Sequence, residues 1–145
     1  MIHVRIDIQT KFDAAGFIAF AADYFQITAE VNLNIYPGDK LLDRFSQDGY
    51  EYRALLYKPA LPWQYNLVLR SDMGEAEIPG ILAHEMVHLN QYITGRLNMN
   101  MTTGAAVWKG EIYAAAYPYE KRPWEKEAFK EQKRLLKAWK KNSHK

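Results

Sequence analysis

The 145-residue chain has no cysteine, which excludes both a disulfide framework and a thiolate metal site. Any transition metal would have to be held by His, Asp or Glu. Long hydrophobic runs are missing as well, none approaching the ~18 apolar residues of a membrane span. The opening MIHVRIDIQTKF carries Arg5, Asp7 and Lys11 and lacks the apolar stretch of a secretory signal, so the expectation is a cytoplasmic protein with no membrane partner. Nor are there internal repeats, low-complexity tracts or Ser/Gly linkers. With 48% apolar and 25% charged residues, the composition is that of a single globular domain over residues 1–145. Net charge is small at +2, but it is unevenly spread. Residues 121–145 hold ten Lys or Arg against three Glu, and residues 1–120 hold nine against fourteen Asp or Glu, so a body of −5 carries a tail of +7.

Residues 2–8 (IHVRIDI) alternate apolar and polar, as a half-buried strand does. Residues 13–26 are rich in Ala and Phe behind Asp13, a suitable N-cap, and read as a helix. Val31, Leu33 and Ile35 alternate with Asn32, Asn34 and Tyr36 up to Pro37-Gly38, giving a second strand. Residues 50–58 and 64–70 read as two more, and the nearby Pro59, Pro62 and Trp63 make 64–70 the expected edge strand. After Pro79-Gly80 the pattern becomes helical (ILAHEMVHLNQYIT), with Gly95 placed to terminate it. Residues 97–123 are irregular apart from a short strand or hairpin around Val107 to Tyr113, and a last helix runs from Pro123, at its first position, to Lys141. The order predicts an α+β domain with a small, mostly antiparallel or mixed sheet.

The central helix contains His84-Glu85-Met86-Val87-His88, an H-E-x-x-H pattern. At about 100° per residue, His84 and His88 lie one turn apart on one face, where both imidazoles reach one Zn²⁺ at about 2.0 Å. Glu85 projects about 100° away, suited to act on a water rather than to bind the metal. Left unliganded, two His and a Glu in an otherwise apolar helix would be buried at a cost with nothing to offset it. Gln91 lies about 20° from His84 on the side away from His88, where it could support a ligand or simply face solvent.

HEMVHLNQY, preceded by QYNLVLR and followed by YPYEKRPWEKEA, resembles a small zincin metallopeptidase of the gluzincin type, over residues 50–141. The resemblance implies a zincin-like fold, with the sheet packed against an N-terminal helix, the H-E-x-x-H helix and a C-terminal helix. It also implies zinc held by His84, His88 and a Glu of the later helix, Glu85 as general base, and a peptide or protein substrate lying extended along the edge strand.

His144, near the end of the tail, is a weak third ligand. On a wheel with Trp124 at 0°, Glu125 falls at about 100°, inside the apolar arc, and Glu127 at about 300°, just outside it. Glu125-Lys126-Glu127-Ala128 also resembles the family's Glu-x-x-Ala-Asp, in which the first Glu is the ligand. Phe129 stands where Asp is common, which removes a supporting carboxylate and keeps Glu127 open as the alternative. Glu125 could instead simply complement the helix dipole. Three protein ligands leave an open position, the mark of a catalytic site. A Tyr that helps hold the oxyanion could be Tyr113, Tyr117 or Tyr119.

The expected function is therefore a zinc-dependent endopeptidase. Two alternatives stand beside it. One is a latent or regulatory module blocked by its own terminal segment. The other is a DNA-associated peptidase, similar in logic to the SprT-like group, that uses the basic tail; the chain carries no zinc finger or helix-turn-helix signature to go with it.

Overall fold

Alternation at residues 2–6 produces strand β1 (Ile2–Ile6), whose inward side chains meet helix α1 (Ala14–Tyr24). Asp13 caps α1 as expected, its Oδ1 accepting the Gly16 N–H at 3.0 Å. The computed structural model describes residues 1–46, 51–59, 61 and 63–143. His144 and Pro62 lie outside the described residues.

Strand β2 (Val31–Pro37) follows, then a short helix α2 (Asp39–Phe45), strand β3 (Ala54–Tyr57) and strand β4 (Gln64–Leu69). The sheet order is β1-β2-β4-β3, with β1–β2 and β2–β4 parallel and only β3–β4 antiparallel. The sheet is therefore mixed rather than mostly antiparallel, because α1 returns the chain to the starting edge in a βαβ crossover. The edge-strand expectation for 64–70 is also corrected: β4 lies between β2 and β3, and the edge strands are β1 and β3. Pro59 precedes β4 instead of interrupting it, and the buried run Leu67-Val68-Leu69 is what a strand covered on both faces looks like. Helix α2 was not anticipated, although Leu41, Leu42 and Phe45 have helical spacing.

Helix α3 (Ile78–Ile93) packs across the inner face of the sheet beside α1, and takes Pro79 into its first turn rather than starting after it. Gly95, with φ of +75°, ends it as expected. Strands β5 (Leu97–Met99), β6 (Ala106–Trp108) and β7 (Glu111–Tyr113) form a separate antiparallel sheet. Positive φ at both Lys109 and Gly110 closes the β6–β7 hairpin, as a two-residue primed turn requires. A 3₁₀ turn at Tyr119–Lys121 leads into helix α4 (Pro123–Ser143), which packs along α3.

Phe17, Ile18, Leu33, Ile35, Leu67, Leu82, Met86, Leu89 and Leu135 make one core between the sheet and helices α1, α3 and α4. Trp139 of α4 docks edge-on against Phe17 and Phe20, each with ring centroids 5.4 Å away. Leu42, Tyr52, Leu55 and Val68 form a smaller cluster on the other face, under α2. Leu82, fully buried where α3 meets this core, sets a direct test. Leu82→Ala should lower the stability of the metal-free chain by about 2–5 kcal/mol, read as a shift in the urea midpoint at constant slope. No helix among the described residues is long and apolar enough to cross a membrane.

Candidate metal centre

Helix α3 places His84 and His88 one turn apart and directs both rings toward α4, so that their Nε2 atoms lie 3.2 Å from each other. Glu125, in the first turn of α4, brings its Oε1 to 2.8 Å from His84 Nε2 and 3.0 Å from His88 Nε2. All three side chains are buried. His84, Glu85 and His88 also form a buried group, with ligand atoms within 4.8 Å of one another, that could hold a metal ion.

The outer ring nitrogens reveal how the histidines are oriented. Gln91 donates its amide nitrogen to the Trp124 carbonyl at 3.0 Å and to Glu127 Oε1 at 3.1 Å, which leaves its Oε1 facing His88 Nδ1 at 2.7 Å. A carbonyl oxygen only accepts, so Nδ1 carries the proton and Nε2 turns its lone pair inward. His84 repeats the arrangement, with Nδ1 2.8 Å from Gln132 Oε1. Two inward lone pairs and a carboxylate oxygen meeting at one buried point repel one another unless a cation lies among them.

In the metal-free chain a proton meets that need. Burial opposes charging His88, but the Glu125 carboxylate outweighs it and pushes the His88 pKa up to about 9. Glu125 shows the reciprocal effect: burial would raise it, yet the two histidines hold it far below the usual carboxylate range. The field that retains this proton is the field a divalent cation would occupy, and metal and proton compete for the same nitrogen.

Glu85 stands apart from these contacts. Burial raises its pKa, His88 and His84 draw it back down, and the Leu56 N–H of β3 bonds to its carboxylate. Its Oε2 is buried and has no hydrogen-bond partner among the described residues. An orphan carboxylate oxygen beside the imidazoles is where a water proton could be accepted. Beside it lies a cavity of about 410 Å³, lined among others by Ala54, Leu55 and Leu56 of β3, by Ile81, and by Phe129 and Gln132 of α4.

No protein-family model, curated protein or solved structure matches this chain. The geometry therefore bears the functional argument alone.

Of the carboxylates weighed for the third position, Glu125 meets the imidazoles. Glu127 is held instead by Arg96 at 2.7 and 2.9 Å and steadies Gln91. Of the three tyrosines, only Tyr119 reaches the group, donating to Glu125 Oε1 at 2.9 Å. Tyr113 packs against Tyr117 and Trp124, with ring centroids 5.0 and 5.1 Å away, and neither Tyr113 nor Tyr117 lines the cavity. Phe129 lies against the His84 ring, with centroids 4.6 Å apart, and Gln91 and Gln132 bond to the outer ring nitrogens of the two histidines.

Gln132 was not anticipated. Its signal was present, since it follows Glu125 by seven residues and so shares its face of α4. Arg122 was also missed: it is buried and donates to Tyr52 Oη at 2.7 Å, bracing a tyrosine that packs on Tyr119. The described C-terminal residues beyond Gln132 do not line the cavity, so a plug formed by that segment finds no support there.

Replacing either glutamine tests the orienting role. Gln91→Ala and Gln132→Ala should each weaken metal binding by about 10–100-fold, measured by competition with a chromophoric chelator.

Proposed function

We propose that this chain is a zinc-dependent endopeptidase of zincin-like architecture, with His84, His88 and Glu125 as the metal ligands. The observation that carries the proposal is the meeting of two imidazole lone pairs and one carboxylate oxygen at a buried point beside the orphan Oε2 of Glu85. The donor set suits zinc: two nitrogens and one oxygen, no sulfur, and histidines whose outer nitrogens are already bonded. When bound, zinc would act as a Lewis acid on a carbonyl and make water a stronger acid.

Each side chain then has a part. Glu85 takes the proton from the attacking water on its unpartnered oxygen and returns it to the leaving amine. Burial raises its proton affinity, which favours a carboxylate that takes up a proton and then passes it on. Tyr119, with its hydroxyl 2.9 Å from Glu125, is the phenol positioned to donate to a developing oxyanion. Gln91 and Gln132 hold the ligand rings in place. Strand β3, at the edge of its sheet and lining the cavity, supports binding of an extended peptide by strand addition.

Chelation is the immediate test. Hydrolysis of an unstructured protein substrate should stop on removal of metal and return when one equivalent of Zn²⁺ per chain is restored. Hydrolysis that continues in metal-free protein would end the proposal.

A further inference from the structure

The outer face of α4 takes no part in the metal centre. With Trp124 at 0°, Glu125, Phe129 and Gln132 lie between about 80° and 140° and face the cavity, while Ala128, Leu135 and Trp139 lie between about 20° and 60° against the core. The arc from about 160° to 280° is filled after Pro123 by Lys126, Lys130, Lys133, Arg134, Lys137, Lys140 and Lys141, with no other residue type in it. All seven are exposed. Along the axis the stripe extends about 22 Å.

We infer that this stripe is a binding surface for double-stranded nucleic acid, engaged through phosphates and indifferent to base sequence. Charge complementarity requires an anionic partner, and the shape of the stripe narrows the choice. A duplex presents about one negative charge per 1.7 Å of axis, so 22 Å of it offers roughly thirteen phosphates to seven cations. Cations spread over about 120° of a convex helix can reach both walls of a groove, while a flat anionic sheet would meet only the central row. A membrane surface also calls for exposed apolar side chains beside the basic ones. Here Trp124, Ala128 and Leu135 are buried in the core, Leu136 and Trp139 pack against it, and Phe129, which is exposed, lies over the His84 ring at the cavity and outside the basic arc. Lys and Arg reach guanine edges as well as phosphates, but the arc contains no amide, hydroxyl or carboxylate side chain to read the other bases, so phosphate contacts dominate and sequence preference is weak. The body of the molecule, at −5 over residues 1–120, repels a polyanion and confines contact to α4. This inference does not rest on the peptidase proposal.

The test is fluorescence anisotropy of the full chain with labelled duplexes of two unrelated sequences at a series of salt concentrations. Both duplexes should bind equally, with dissociation constants of about 1–100 μM near physiological salt. The log–log salt slope should be about −4 to −6, for roughly five to seven phosphate contacts. Lys130→Gln/Lys133→Gln/Lys137→Gln should flatten that slope by about three, while the same positions changed to Arg keep it. Circular dichroism of each variant establishes that α4 is intact. Absence of duplex binding at low salt, an unchanged slope in the triple Gln variant, or capture by phosphatidylserine vesicles in preference to duplex would each overturn the inference.

Discussion

Glu85→Gln should reduce hydrolysis of an unstructured protein substrate by about 10²–10⁴-fold while bound metal and the folded state persist. The substitution keeps shape and volume at a buried position, so the α3 core is undisturbed. It removes the capacity to accept a proton on an oxygen that no group among the described residues satisfies. Burial already raises this carboxyl group's pKa, so a neutral amide costs less to bury than the ion it replaces. The variant should therefore unfold at the same urea concentration as the parent chain or slightly above it. That pairing separates a proton-transfer role from a packing role, because a packing residue would lose stability and activity together. Undiminished hydrolysis by a metal-loaded variant would remove Glu85 from the mechanism.

The second large effect distinguishes two glutamates of one helix turn. Glu125→Ala should lower metal affinity by more than the 10–100-fold that loss of an outer partner costs, and elemental analysis after gel filtration should show little metal retained. Glu125 Oε1 lies within 3.0 Å of both inner imidazole nitrogens, and nothing else among the described carboxylates does so. Glu127→Ala should retain stoichiometric metal, because its carboxylate pairs with Arg96 and reaches the site only through the Gln91 amide. Its effect should stay within the 10–100-fold range of an orienting partner. Equal retention by both variants would mean that the histidines bind without α4, and the three-ligand site would be wrong.

Much of this site was legible in the chain because helical spacing is a local property. Four residues separate His84 from His88, and any α-helix brings them to one face. The wheel also distinguished Glu125 from Glu127, since the apolar arc of α4 marks which side must be buried. The caps at Asp13 and Gly95 were readable for the same reason, each being set by the backbone within one turn. Strand order was not legible. Whether β4 or β3 forms the edge depends on which of them pairs with β2 after the chain leaves it through α2, and that pairing is a contact between strands distant in sequence. The tyrosines were equally undetermined, because Tyr113 ends strand β7, Tyr117 lies in the following loop, and only Tyr119 stands in the 3₁₀ turn that brings its hydroxyl to Glu125.

From the order of residues alone came the pair of histidines, the carboxylate beside them, the buried face that selects Glu125, and the basic character of the last helix. Each depends on contacts three or four residues apart, which secondary structure by itself creates. The packing of α4 against α3 decided the rest: that Glu125 arrives between the imidazoles and that Gln132 bonds to the outer nitrogen of His84. Those contacts join residues as many as 48 positions apart in the chain, and only the burial of a shared core brings such groups within hydrogen-bonding distance.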